Sequence, residues 1–292
     1  MTVLVGYVQG EGGTGGVQLG AMLAESAGTD LVVATVVPKP WTTPSMAKVD
    51  AEYASWTDEI VTKAEQEIAD YMTIYPPDLD WRFVRLDHRT AASALSAHAV
   101  EIGARVLVIS SANGGQLGQI VTGSTADWLL HRSPTPVALS PRGYRSPKDG
   151  KLTRITVAYA GTDDDGIISR ARDVAGLMAK PMRVVTFAVR GGAMYPPLVG
   201  IRTENQVLDQ WIEQSTAAQQ KLAADGVIES GTPTEVASGT GWREAVDSIE
   251  WIEGEVLFVG SSHEGLLSQV FVGSRAHKLI RHSPVPVVVL PR

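Results

Sequence analysis

The chain has no cysteine in 292 residues. That absence removes disulfides, thiolate metal sites and cysteine nucleophiles together, and it fits a reducing compartment. Long apolar runs are missing too. Nothing approaches the roughly twenty residues of a membrane span, and Met1-Thr-Val-Leu-Val-Gly6-Tyr7 has neither a basic leader nor an apolar stretch with a cleavage site. The expected address is therefore the cytoplasm, with no membrane partner. Positive charge is scarce: Lys and Arg number 25 against 32 Asp and Glu, a formal net charge of −7, and no dense basic run offsets it. Binding to a polyanion is driven largely by Lys and Arg releasing counterions, so no nucleic-acid partner is expected. Aromatic residues are 6% of the chain and stand singly, as core or interface residues do, rather than as a platform for stacked bases. At 44% hydrophobic and 20% charged, the composition is that of an ordinary folded protein.

What the chain does contain is a repeat. Val256-Leu-Phe-Val-Gly260-Ser261-Ser-His263 leads to Gly273-Ser274-Arg275 and on through His282-Ser-Pro-Val-Pro286 to the last residues. The same order occurs as Val106-Leu-Val-Ile-Ser110-Ser-Ala-Asn113, then Gly123-Ser124, then Ser133-Pro-Thr-Pro136. At a constant offset of roughly 150 residues, about sixteen of some thirty-seven positions agree. The division this implies is a first domain over 1–142, a linker over 143–151 and a second domain over 152–292. In both copies a buried strand runs into a small-residue loop, a Gly-Ser helix start, a helix and a final strand. A helix start leaves N–H groups unpaired at the positive end of the helix dipole, and a Gly-Ser entry lets an anion approach them.

The remaining elements alternate. In the first half the pattern predicts strands at Thr2–Tyr7, Leu31–Val37, Trp81–Leu86, Val106–Ile109 and Val137–Leu139. Helices are expected from about Val17, over Met46–Met72 with Tyr53, Trp56, Ile60, Ala64 and Ile68 on one side, over Ala91–Ile102, and from Gly123-Ser124 to Arg132. Pro76-Pro77 stops the long one. The second half predicts strands at Ile155–Tyr159, Arg183–Val189 and Glu235–Ala237, helices at Ile168–Met178, Asn205–Ala224 and Trp242–Ile252, and then the closing repeat. Strands alternating with helices give an open parallel sheet whose ligands sit beyond the carboxyl ends of the strands, where the strand order switches.

These residues resemble the universal stress protein family in its tandem two-domain form. The likeness is carried by Val-Gly-Tyr and Val-Ala-Tyr in the first strands, the long second helix, the Gly-Ser turn and the ending Arg281-His282-Ser-Pro-Val-Pro-Val-Val-Val. The resemblance implies two α/β, Rossmann-like domains of the adenine nucleotide alpha hydrolase-like type, and a non-catalytic stress-response role. It also implies pairing of the last strands of the two units as a pseudo-dimer within the chain, and a homodimer of chains. Nucleotide-binding members resemble one another in Gly, two residues, Gly, nine residues, Gly and Ser or Thr, with an acid after the first strand. Gly260, Gly273 and Ser274 match in the second unit, while His263 takes the second glycine's place and Ala160 the acid's. In the first unit Gly123 and Ser124 match, Ser110 and Asn113 stand for the glycines, and Val8 for the acid. The site set the resemblance implies is therefore Gly260, Ser261, His263, Gly273, Ser274, Arg275, Ala160 and Val189, with Gly123, Ser124 and Asn113 in the first unit. Its ligand would be ATP or another adenine nucleotide, held in the second unit in preference to the first. Arg275 would counter the charge of Glu264.

Other signals have plainer readings. Gly10-x-Gly12-x-x-Gly15 matches the dinucleotide fingerprint, but Asp30 precedes the second strand instead of ending it, so a glycine loop beside the cleft is favoured over an NAD site. His131 and His282 lack a nucleophile or orienting acid at a motif spacing and are expected to end helices, where a cation is favoured. Ser124 and Ser274 could serve as helix N-caps. Asp163-Asp164-Asp165 reads as helix capping, and no metal site is expected. An interaction protein without a ligand, and an ATPase or oxidoreductase, are the alternatives.

Overall fold

The computed structural model describes residues 2–10, 14–39, 47–73, 79–161, 165–189, 201–261 and 273–291. Gly12, Pro76-Pro77, Asp163, Asp164, His263 and Glu264 lie outside them. The chain divides into two compact units, Met1–Lys151 and Leu152–Arg292. Unit 1 runs β1 (Thr2–Gly6), α1 (Gly15–Ala27), β2 (Asp30–Val37), α2 (Ala47–Met72), β3 (Trp81–Asp87), α3 (Ala91–Glu101), β4 (Ala104–Ser110), α4 (Ser124–Arg132) and β5 (Val137–Ser140). Its strands lie in the order β3-β2-β1-β4-β5, every pair parallel. Unit 2 repeats this with β6 (Arg154–Ala158), α5 (Asp165–Leu177), β7 (Met182–Val189), α6 (Ile201–Ala224), β8 (Thr234–Gly239), α7 (Trp242–Asp247), β9 (Glu255–Gly260), α8 (Ser274–His282) and β10 (Val287–Leu290). The order β8-β7-β6-β9-β10 is again parallel throughout.

The unbroken apolar runs make this sheet possible. Val3–Val5, Leu31–Ala34 and Leu107–Ile109 are all buried, as central strands covered on both faces must be. Because β1 lies between β2 and β4, the strand order reverses on either side of it. The crevice of unit 1 therefore opens between the carboxyl ends of β1 and β4, and that of unit 2 between β6 and β9.

Several elements depart from the sequence pattern; α5 begins at Asp165 instead of Ile168 and α6 at Ile201 instead of Asn205. On α2, Trp56 is 51% exposed while Thr57, Ala64, Ile68 and Met72 are buried. Seven residues are within about 20° of two full turns, whereas eight overshoot by about 80°; Thr57, not Trp56, shares the stripe of Ala64. Tyr53 stays near that stripe, its hydroxyl donating to the Pro38 carbonyl at 2.8 Å. Helix α7 ends at Asp247 instead of Ile252. Beyond it the Trp251 indole N–H donates to the Val246 carbonyl at 2.8 Å, and the Ile252 N–H donates to the Glu255 carboxylate at 3.0 Å; these bonds compete with continued helix. Helix α1 starts at Gly15, ahead of its apolar periodicity. The segment after β5 packs on this helix: the Ser146 N–H donates to Gln18 Oε1 at 2.9 Å, and the Tyr144 hydroxyl meets Met22 Sδ at 3.3 Å.

The early start of α1 depends on one close approach. The Gly16 N–H donates to Ser110 Oγ at 3.0 Å, and a Cβ at Gly16 would sit 2.6 Å from that oxygen. In unit 2 the sizes are exchanged: the strand carries Gly260, whose Cβ would lie 3.2 Å from Ile167 Cδ1 on α5. Gly16→Ala should therefore cost about 1–3 kcal/mol, the usual penalty for overpacking. Ser110→Gly in the same chain should recover most of it, although the acceptor for Gly16 N–H is lost. Urea unfolding of the four chains of that cycle reads the coupling; equal losses from Gly16→Ala in both backgrounds would refute it.

At the opposite, amino edge of unit 2 the strand starts carry a buried ionic cluster. Glu255 accepts from Arg154 Nη2 at 2.7 Å and Arg183 Nη2 at 2.9 Å, and from the Thr156 hydroxyl. Arg183 also reaches Glu235 at 3.1 Å and stacks over Trp251 at 5.4 Å. At the corresponding edge of unit 1 the first residue of β1, Thr2, donates to the Asp30 carboxylate at 3.0 Å.

Candidate functional site

The cleft of unit 1 has a volume of about 360 Å³. One end is apolar, formed by Ala34, Val36, Ala91, Leu95 and Ile109; the other is made of Ser110, Ser111, Asn113, Gly123, Ser124 and Thr125. The loop between β4 and α4 is fixed by its own bonds. Ser111 N–H donates to the Ser140 carbonyl at 3.0 Å and Ala112 N–H to the Val121 carbonyl at 2.9 Å, while Ser111 Oγ accepts from the Val121 N–H at 2.8 Å. The Arg142 guanidinium donates to the Gly115 carbonyl, closing the outer turn.

The helix after this loop begins one residue earlier than a serine cap would require. Gly123 is the N-cap and Ser124 the first helical residue, and no side chain caps the helix; Gly273 and Ser274 stand in the same relation to α8. Neither serine is a cap, and the N-cap residue of α4, Gly123, offers no side-chain acceptor to the first-turn N–H groups beside the cleft. Such a start attracts an anion by ~0.3–1 kcal/mol when exposed. The glycines are not demanded by backbone conformation: φ is −94° at Gly123 and −60° at Gly273. A Cβ at Gly123 would make only an ordinary 3.5 Å contact with Ala112, so glycine there keeps the polar end of the cleft open.

After β1 the chain offers Val8 at the position where the family resemblance implies an acid, and Val8 lines the cleft. The residues on either side of it bond to α2. The Tyr7 hydroxyl donates to Glu67 Oε2 at 2.7 Å and Gln9 Nε2 to Glu67 Oε1 at 3.0 Å, tying α2 to the end of β1. Burial first, and then Glu67, push the Tyr7 hydroxyl well above the ordinary phenol range; the bonds from Tyr7 and Gln9 hold Glu67 below the ordinary carboxylate range.

In unit 2 the corresponding cleft has a volume of about 80 Å³. Ala160, Gly260 and Arg275 line it, with Trp211 and Trp242. Among the described residues, one difference between the two linings is at the helix after the third strand of each unit: Trp242, the first residue of α7, lines this cleft, where the first residue of α3, Ala91, lines that of unit 1. Arg275 lies over the Trp211 ring at 5.4 Å and Lys278 Nζ over Trp242 at 5.7 Å, cation–π contacts of about 0.5–2 kcal/mol each. Four more of the expected residues are not among those lining this cleft: Val189 is buried at the end of β7, Ser261 is buried with its N–H on the Leu290 carbonyl at 3.2 Å, and Gly273 and Ser274 begin α8. The sequence weighs the second unit as the binding unit; the larger described opening is in the first. Carrying the repeat upstream at its offset of 150 sets Trp242 opposite Ala92, and only the aligned helix starts set it opposite Ala91.

Both histidines sit at helix ends. His131 Nδ1 lies 2.6 Å from the Asp127 carbonyl within α4. His282 ends α8, but burial, with Arg243 and Arg281 nearby, holds it below the ordinary imidazole range against the opposing effect of Asp247; it does not supply the helix-end cation that the sequence suggests. Among the described residues no group of three His, Asp or Glu is arranged to hold a metal, and no helix is long and apolar enough to cross a membrane.

Two parallel α/β units, each with a crevice at its topological switch point ahead of a Gly-Ser helix start, define a tandem protein of the class that holds ligands beyond its strand ends. The chain belongs to the universal stress protein family, whose model matches residues 1–141 and again 152–291. It is similar to universal stress proteins of Mycobacterium tuberculosis and Mycobacterium bovis, 40% identical over 292 residues with 100% of this chain and of each relative covered. Among solved structures, a universal stress protein from Archaeoglobus fulgidus covers 100% of this chain and 98% of its own at 17% identity and a TM-score of 0.59, a likeness of fold.

Proposed function

We propose that the chain is a non-catalytic stress-response regulator that binds an adenine nucleoside or nucleotide in the cleft of unit 1, with the cleft of unit 2 filled by its own side chains. The observation that carries this is the pair of volumes, about 360 Å³ behind Ala91 and about 80 Å³ behind Trp242. The first falls within the ~300–1,000 Å³ typical of small-molecule sites. Its apolar end suits a base and its hydroxyl and amide end suits a ribose or an anion. A regulatory role is favoured over catalysis because, among the described residues, those lining the cleft include hydroxyls but no histidine, lysine or carboxylate to activate them.

Isothermal titration of adenosine and AMP into the full chain tests the proposal. Saturable binding at one site per chain is expected. No heat and no thermal shift would leave the interaction protein without a ligand as the better reading. Two equivalent sites would show that the aromatic residues of unit 2 do not close it.

A further inference from the structure

The charge of the unit 1 cleft narrows the ligand beyond its base. We propose that this cleft selects nucleosides carrying at most one phosphate and discriminates against the triphosphate, an inference that rests on the ligand site proposed above. None of the described residues lining the cleft bears a charge; its polar end consists of Ser110, Ser111, Asn113, Ser124 and Thr125. Among the described residues that line it, the one electropositive feature is the start of α4, equivalent to about half an elementary charge. Even that is partly neutralised, because Asp127 lies in the first turn of α4. The guanidinium in the bordering loop, Arg142, is committed to the Gly115 carbonyl.

The second unit shows what a more cationic version of the same helix start looks like. Arg275 occupies the second position of α8, where α4 has Thr125, and the first turn of α8 carries no acid. There the cation is stacked on Trp211 beside a cleft of about 80 Å³. The chain thus has its open cleft and its helix-start cation in different units. A polyphosphate entering unit 1 would bring about four negative charges against one half-compensated dipole, in a molecule whose own net charge is −7. A neutral nucleoside or a single phosphate meets no such mismatch.

Competition among adenosine, AMP and ATP for the full chain, with and without Mg²⁺, tests this. AMP is expected to bind at least tenfold more tightly than ATP in both conditions. Thr125→Arg should shrink that ratio severalfold, and Asp127→Asn, at an exposed position, should move it the same way without altering the cleft lining. ATP binding as tightly as AMP would overturn the selectivity while leaving the ligand site standing. A ratio unmoved by both substitutions would overturn its electrostatic cause. Binding by none of the three compounds would remove the site and the selectivity together.

Discussion

Ala91→Trp is expected to lower the affinity of the chain for adenosine or AMP by at least a hundredfold while leaving its unfolding midpoint within a few degrees. The substitution copies into unit 1 the residue that unit 2 already carries at the first position of the equivalent helix. Ala91 is only half-buried and lines the apolar end of the cleft, so an indole there has a route outward and need not disturb the core. The helix should tolerate it: at its first position the side chain has no preceding helical turn to clash with, and the intrinsic propensity difference between Ala and Trp is below ~0.7 kcal/mol. What the indole removes is the space for a base. A hundredfold loss corresponds to about 2.7 kcal/mol, well within what an apolar pocket contributes to a buried aromatic ring. The reciprocal change, Trp242→Ala, gives up the contact with Lys278 and should open a second, weaker site, raising the titration stoichiometry from one to two. Undiminished affinity in Ala91→Trp would place the ligand elsewhere.

Glu255→Ala should destabilise unit 2 by about 3–5 kcal/mol, the range for removing one member of a buried ion pair. The side chain of Glu255 is 0% exposed and that of Arg183 6%, so the substitution strands a guanidinium in a dry environment and leaves the Ile252 N–H without its acceptor. For a unit of this size such a loss lowers the melting midpoint by on the order of 10 °C. Burial by itself raises the Glu255 carboxyl, but the bonds from Arg154, Thr156 and Ile252 and the charge of Arg183 outweigh it and hold the group below its ordinary range. A carboxylate depressed in the folded state contributes stability above the unfolded pKa, and that contribution fades as pH falls through the folded one. The difference between wild type and Glu255→Ala should accordingly shrink under acid, on the low side of the ordinary glutamate value of about 4.5. Thermal scans by near-ultraviolet circular dichroism at neutral pH and near pH 3 measure both effects. A deficit under ~1 kcal/mol at neutral pH would mean that the cluster merely offsets its own desolvation.

Much of the architecture is written in local pattern. Doubly buried strands announce themselves as apolar runs, and Leu31–Ala34 and Leu107–Ile109 are found where those runs are. The repeat places a Gly-Ser helix start after β4 and again after β9, and the Gly123, Ser124 and Asn113 of unit 1 line one cleft. What stayed hidden depends on contacts between segments far apart in the chain. Trp56 satisfies a helical spacing as an apolar residue and still faces out, because a stripe one residue over fits the sheet better. The last turn of the predicted seventh helix is displaced by a carboxylate whose position is set by two arginines from other strands. The motif favours the cleft of unit 2 because two glycines and an arginine lie in line; Trp211 and Trp242, which also line it, come from segments outside the motif.

The exchange of sizes between Ser110 with Gly16 and Gly260 with Ile167 has a genetic consequence. Two halves descended from one sequence are exposed to copying of segments from one onto the other, and nearly matching stretches such as 106–142 and 256–292 are where such copying would begin. A transferred β4 end would bring a serine against Ile167; a transfer in the other direction would take from α1 the hydroxyl its first turn leans on. Each half has its own strand-to-helix contact, so a chain with a segment copied from one half into the other would carry a tighter contact in unit 2 or a lost acceptor in unit 1.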